Sequence, residues 1–433
     1  MTKTPQLLKG FRDFYPEQMA FRNWLYGKAK KVAESFGFEE YEGPIVETLD
    51  LYAAKSGEEL VKKQAFTLTD KSGKILALRP EMTPTLARMV AQKAGGLIFP
   101  VKWFSFGPRF RYETPQRGRG REFFQWDADI LGLTNPEADA EVISVAAAMY
   151  LSLGLSPTEV RIKINDRQYL QQKLQSIDVA EEKITAIFKV IDKKSKVSEK
   201  IFDDLLEQEN LGSVQVNQLK KLLENKQGYT DSEWLSKIMS LVQAAGYGEF
   251  VEFDPSIVRG LDYYTRTVFE GWDVKGEFRS IWGGGRYDNL TEEVGGKQKI
   301  PGVGFAMGDM VLEEILRTNG KYPKLKANST RVLVTVFSNE LAVSSNKLAN
   351  LLRKSGVNAE VYLDSSAKLD KQLKYADKKG IPFVVIIGPE EAAAGTVTIK
   401  DLRSGGQKTV AADKLSESIQ ESPGRTARRL LET

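Results

Sequence analysis

The chain has 433 residues, 41% hydrophobic and 28% charged, with 62 Lys and Arg against 58 Asp and Glu for a net charge of +4. That length exceeds one ordinary core, so two or three domains are expected, and a charge this near balance permits a nucleic-acid partner without arguing for one. Cysteine and histidine are both absent, which excludes disulfides, thiolate or imidazole metal sites, cysteine nucleophiles and the usual near-neutral general base. At a usage of roughly 2%, about nine histidines would be expected, and drawing none has odds on the order of one in ten thousand. Any chemistry here must run on Arg, Asp, Glu, Tyr, Gln, backbone amides and Mg²⁺ held by a substrate phosphate. No apolar run approaches the ~18 residues of a membrane span, and "MTKTPQLLKGFRDFYPEQ" lacks the apolar stretch of a secretory signal, so a cytoplasmic protein without membrane contact is expected.

From 17 to 36 apolar residues recur at helical spacing; Gly37 stops the helix, and "FEEYEGPIVETLDLY" opens a strand-like segment. Strands and helices then alternate without long linkers to a helix over Asn135–Gly154, as one domain. Residues 166–248 turn rich in Lys, Leu, Gln and Glu with helical periodicity and read as an insertion. Strand signals return at 250–310 and complete the first domain, 1–165 with 249–325. After a polar linker, "RVLVTVF", "NAEVYL", "IPFVVIIG" and "TVTIKDL" alternate with helices, an α/β domain expected over 329–425.

In "LRPEMTPTLARM", Glu81 and Thr83 follow a strand and precede a helix; Thr83 reads as an N-cap or, with Glu81, as a binder of an amine. In "FGPRFRYETPQRGRGREFFQWDAD", Arg111 alternates with Phe110 and Tyr112 within a strand, and its fork suits phosphate or carboxylate. Gln125, Asp127 and Asp129 on the return strand are spaced by two and share a face, which suits a ligand floor. "VRGLDYYTRTVFEGW", 258–272, is a strand in its second half, while Arg259, Asp262 and Arg266 are charges in a segment apolar enough to be buried. "SIWGGGRYDNL" and "IPGVGFAMGDM" supply glycines that let a flat ligand approach the backbone, but neither has a dinucleotide or P-loop pattern.

Together "GFRDFYP", "GPIVETLDLY", "LRPEMTPTLARM", "FRYETPQRGRGREFFQ", "RGLDYYTRTVFE" and "GGGRYDNL" resemble histidyl-tRNA synthetase, a class II aminoacyl-tRNA synthetase, and residues 371–402 resemble its anticodon-binding domain. The resemblance implies an α+β fold: an antiparallel sheet with flanking helices, a helical insertion, a C-terminal α/β anticodon-binding domain, and a homodimer formed through Phe38 to Tyr52. It implies histidine, ATP and histidine tRNA as partners, ATP being a substrate that carries Mg²⁺. By this analogy Arg111 holds the α-phosphate and carboxylate region, Glu113 the adenine side and Arg119 the outer phosphates. Glu81, Thr83 and Gln125 hold the α-amino group, and Asp129, Tyr264 and Tyr287 read the imidazole, with Tyr263 lining the same pocket. Arg259 lies between carboxylate and α-phosphate, and Asp262 and Arg266 form a structural pair or support.

Two positions depart from the family pattern. Val311 stands where an arginine usually follows "GFAMG", which shifts the outer phosphates to Arg119 or a nearby lysine; Thr114 stands at an often basic position, leaving Gln116 as the candidate for the extra 5′ guanine of the tRNA. Lys193, Lys194 and Lys196 of the insertion face either solvent or tRNA phosphates. The competing reading is a synthetase-like regulatory subunit of ATP phosphoribosyltransferase, which would bind histidine without charging tRNA, lack the anticodon domain and degrade "RGLDYY". A ligase of histidine that contains none can be translated without its own product; a chain redesigned to a reduced alphabet would look the same.

Overall fold

The structure, a computed structural model, describes residues 4–53, 64–194, 197–259, 263–278 and 280–421. Contacts divide it into two compact units, Phe21–Pro323 with the stretch up to Asp13, and Lys324 onward with Phe14–Ala20.

Helix α1 (Pro16–Ser35) starts on a proline, whose missing N–H costs nothing there, and buries Phe21, Leu25, Ala29 and Val32 along one stripe. Gly37, at φ +76°, turns the chain into β1 (Glu39–Glu40). Next come β2 (Val46–Thr48), α2 (Leu49–Ala53), β3 (Phe66–Thr69) and β4 (Ile75–Leu78), whose strands form a small antiparallel sheet in the order β2-β4-β3. The segment continues through α3 (Thr83–Lys93), β5 (Val101–Phe110), β6 (Glu122–Leu131), α4 (Pro136–Ser152) and β7 (Val160–Asp166).

Four helices follow, α5 (Arg167–Gln175), α6 (Ile184–Ile191), α7 (Glu199–Gln208) and α8 (Ser213–Glu224). They close their own core around Leu170, Ile187, Phe202, Leu206 and Leu219. Helix α9 (Glu233–Ala244) instead sends Leu235, Ile238 and Val242 into the main core, which it shares with α4. The helical stretch expected over 166–248 therefore feeds two cores.

The chain returns through β8 (Val251–Phe253), β9 (Thr267–Asp273), β10 (Trp282–Tyr287), α10 (Leu290–Glu293), β11 (Gly302–Gly308) and α11 (Asp309–Thr318). The main sheet has eight strands in the order β1-β5-β6-β11-β10-β9-β7-β8; only the outermost pairs, β1 with β5 and β7 with β8, are parallel.

Cross-strand register sorts this sheet into two unlike faces. Directly opposed residues share a face, so pairing Asp129 with Gly304, Gly304 with Gly285, Gly283 with Ala306 and Gly283 with Glu270 aligns glycines and polar groups on one side. The alternate residues, among them Trp126, Ile162, Phe269, Trp282 and Phe305, pack into the main core under α4 and α9. One face pays for the fold, and the other is left free for chemistry.

In the second unit, β12 (Val332–Val334), α12 (Ala342–Lys354), β13 (Ala359–Val361), α13 (Leu369–Lys378), β14 (Phe383–Ile386), α14 (Pro389–Ala394), β15 (Thr396–Asp401) and β16 (Gln407–Ala411) build a five-stranded sheet ordered β13-β12-β14-β15-β16. Strand β12 runs parallel to both neighbours. No described helix is long and apolar enough to cross a membrane.

Candidate active site

The glycine-rich face of the main sheet floors a cavity of about 800 Å³ lined by tyrosines, acids and arginines. Tyr263 and Tyr287 meet acids there, and the Tyr264 ring packs edge-on against Tyr263 at 4.8 Å. Tyr263 Oη donates to Glu81 Oε2 at 2.9 Å, and Tyr287 Oη donates to Asp129 Oδ1 at 2.7 Å, all four groups being buried. Asp129 sits behind Tyr287 rather than among the lining residues. Glycines make this possible: a Cβ at Gly304 would collide with the Asp129 carboxylate, and one at Gly285 would come within 2.7 Å of the Tyr264 ring. Burial pushes the Asp129 carboxyl well above its ordinary range, against the opposing hydrogen bond from Tyr287. Burial and then the Glu81 charge raise the Tyr263 phenol; burial and then Asp129 raise that of Tyr287.

Thr83 and Gln125 line the same cavity. Met82, not Thr83, is the N-cap of α3, and Thr83 opens the helix itself. Gln125 Oε1 is buried with no hydrogen-bond partner among the described residues.

Arg111, Arg119 and Arg259 supply cations to the same cavity, and Arg259 lies within electrostatic reach of Tyr264 and Tyr263. Arg111 lies one residue beyond β5 rather than inside it, although its backbone N–H still donates to Arg121 O at 2.9 Å. Its Nε donates to the Pro80 carbonyl at 3.0 Å, and its guanidinium lies 5.3 Å above the Phe123 ring. Arg119 pairs with Glu113 at 2.7 Å. Arg259 takes the left-handed conformation, φ +57°, which a side chain other than glycine rarely adopts, and pairs with Glu270 at 2.5 Å. Burial, the largest single influence, pulls its pKa down, but the Glu270 charge and hydrogen bond together with Tyr264 and Tyr263 hold it above the usual range.

Other charges that the sequence brings to notice are spent on structure. Arg109 turns inward to Asp127 at 2.5 Å and to Ser105 at 3.1 Å. Arg266 pairs with Asp166, 100 residues away, at 3.2 Å and lies 3.6 Å above the Trp234 ring; Asp262, expected to pair with it or to support the site, lies outside the described residues. Val311 is buried in the main core, and a Cβ added at Gly118 would stand 3.0 Å from its Cγ2. Gln116 bridges to Arg119 in the hairpin tip and does not line the cavity. Lys194 does line it, with Ile191 and Asp192 of the insertion, whereas Lys196 lies outside the described residues.

Sequence reasoning passed over Glu270, Trp272, Lys163 and Gln64, which also line the cavity. The alternation in β9 holds a signal for the first two: Val268, Glu270 and Trp272 share one face, and a carboxylate there needs a cation.

An antiparallel sheet of this order, with such a cavity on its open face, defines a class II aminoacyl-tRNA synthetase. The histidyl-tRNA synthetase family matches residues 10–312, and an anticodon binding domain matches 331–422. The chain belongs to the histidyl-tRNA synthetase family. It is 37% identical to the histidine–tRNA ligase of Leptospira biflexa, covering 96% of this chain and 98% of that one. Against the corresponding ligase of Thermoplasma volcanium the identity is 38%, with the same coverage of 96% and 98%. Among solved structures, histidyl-tRNA synthetase from Nostoc sp. PCC 7120 superposes with a TM-score of 0.80 at 28% identity, over 97% of this chain and 99% of that one.

Proposed function

We propose that this cavity joins histidine and ATP as histidyl-adenylate before histidine passes to the 3′ end of its tRNA. The observation that carries the reading is the make-up of this cavity: buried tyrosines with Glu81, and Asp129 behind Tyr287, beside the cations Arg111, Arg119 and Arg259. The histidine carboxylate attacks the α-phosphorus; a new O–P bond forms, the bond from phosphorus to the bridging oxygen breaks, and pyrophosphate leaves with the electron pair. These are two anions, and permanently charged Arg111 and Arg259 offset their repulsion. No general base is needed, because the carboxylate is already ionised, so a chain without histidine or cysteine is fully equipped. In the second step a ribose hydroxyl attacks the adenylate carbonyl, its proton passes to an adenylate phosphate oxygen, and AMP departs.

Within this reading Glu81, Thr83 and Gln125 receive the α-amino group, and Asp129 with Tyr264 and Tyr287 reads the imidazole, whose one N–H and one bare nitrogen need an acceptor and a donor. Tyr263 lines the same pocket and donates to Glu81. Glu113 faces the adenine, and Arg119 takes the outer phosphates in place of an arginine at Val311. Three acids that line the cavity are engaged, Glu113 by Arg119, Glu270 by Arg259 and Asp309 by Arg12 at 2.7 Å, which supports Mg²⁺ arriving on ATP rather than in a protein cage. Exposed Ile45, Val46, Leu68 and Ile75 near the small sheet support a homodimer. Catalysis belongs to 1–165 and 249–325, the insertion spans 166–248, residues 329–425 engage the anticodon, and the enzyme works in the cytoplasm, where charging requires the two units together.

Histidine-dependent ATP–pyrophosphate exchange tests the first step. Arg259→Ala should lower kcat about 10²- to 10³-fold, as expected for one preorganised charge on the reacting phosphate; an unchanged rate removes Arg259 from the site. Charging of tRNA with and without the 5′ guanine, in wild type and Gln116→Ala, tests the tRNA contact: a preference for the guanine that survives the substitution rules Gln116 out.

A further inference from the structure

We infer that Glu270 is a positioning residue that holds the Arg259 guanidinium over Gly283, an inference that rests on Arg259 being the cation between carboxylate and α-phosphate. Four observations converge on it. Glu270 and Gly283 are direct cross-strand partners on the open face of the sheet. Arg259 Nη1 donates to Glu270 Oε1 at 2.5 Å, and the second oxygen, Oε2, accepts from Trp272 Nε1 at 3.0 Å. Both carboxylate oxygens are thus fixed, one by the cation and one by an indole on the same strand face, so the acid has little freedom to follow Arg259 if it swings. The guanidinium in turn lies against Gly283, where an added Cβ would stand 2.5 Å from each terminal nitrogen.

The pairing leaves the arginine usable. A guanidinium has five N–H donors, of which Glu270 takes one; Nε is buried with no partner among the described residues. Glu270 therefore aims Arg259 without consuming it. The left-handed backbone at Arg259 fits the same account, because a side chain leaving an unusual backbone at one end needs an anchor at the other.

The test is a cycle of exchange measurements on the full chain: wild type, Glu270→Ala, Arg259→Ala and the double variant, with kcat and the KM values for histidine and ATP determined separately. Loss of aim should lower kcat of Glu270→Ala about 10- to 100-fold, with KM for histidine within about threefold, since misplacing a catalytic group by about 1 Å costs that much. In the Arg259→Ala background the second substitution should cost nothing further. Glu270→Gln, which keeps an acceptor, should recover part of the loss. A wild-type or faster Glu270→Ala, or losses that multiply in the double variant, overturn the inference. Arg259→Ala at the wild-type rate sinks the reading of Arg259 itself, whereas a slow Arg259→Ala beside an unimpaired Glu270→Ala sinks only the role of Glu270. Should Glu270→Ala not fold, Trp272→Phe carries the test: a kcat loss of about three- to tenfold that vanishes without Arg259 supports the inference, and one that persists refutes it.

Discussion

Replacing Gly283 by alanine puts a methyl group where the Arg259 guanidinium lies. The new carbon would stand 2.3 Å from Cζ and 2.5 Å from Nη1 and from Nη2, against an ordinary contact of about 3.5 Å, so the guanidinium must retreat by at least about 1 Å. What moves is the far end of a flexible side chain, and Gly283 is not among the glycines with a left-handed backbone, so the cost in stability should be small, about 1 kcal/mol. The cost in rate should not be small: a displacement of that size is worth about 10²-fold in a charge-stabilised step. The assay is ATP–pyrophosphate exchange at saturating histidine and ATP beside a thermal melt of the same preparation. A Gly283→Ala enzyme that melts as wild type and exchanges about 100-fold more slowly fits the reasoning. Wild-type exchange would show that Arg259 need not lie where it does, and a collapse in melting temperature would make Gly283 a packing residue instead.

Four further outcomes are expected. Asp129→Asn should lower kcat/KM for histidine about 10- to 100-fold, the worth of a hydrogen bond to a charged group, and equal catalytic efficiency would take the carboxylate out of recognition. Its folded pKa is raised above the unfolded one, so wild type loses stability as pH rises from the unfolded carboxylate range through the folded value, and the variant does not; Asp129→Asn should out-melt wild type above that window and lose the advantage below it. Arg286 is 1% exposed and donates to Asp139, to Leu133 O at 2.7 Å and to Asn135 O at 3.0 Å; Arg286→Ala strands the buried acid and should cost about 3–5 kcal/mol in urea unfolding, with Arg286→Lys recovering only part because it lacks the fork. A chain ending at Pro323 should keep histidine-dependent exchange and lose charging of tRNA, and full charging by that fragment would deny the second unit its role.

Periodicity and motif order were legible in the amino-acid string because each depends on neighbours a few residues apart. A strand alternates every second residue whatever it packs against, so Gln125, Asp127 and Asp129 could be put on one face in advance. Proline at the start of α1 and glycine after it mark helix ends by their own backbone preferences. The same locality explains why the family could be read from short stretches spread along the chain.

The partners of the buried charges could not be read that way. Arg266 closes on Asp166, Arg286 on Asp139, Arg109 on Asp127 and Arg259 on Glu270, and only the last two pairs are near in the chain. Asp127, equal in spacing to Asp129, went to an arginine while Asp129 went to a tyrosine at the cavity. Alternation fixes which face a side chain takes, but the cation that meets it is set by strand order and register across the sheet. A buried charge takes whichever partner that register delivers, because the cost of leaving it unpaired exceeds any local preference.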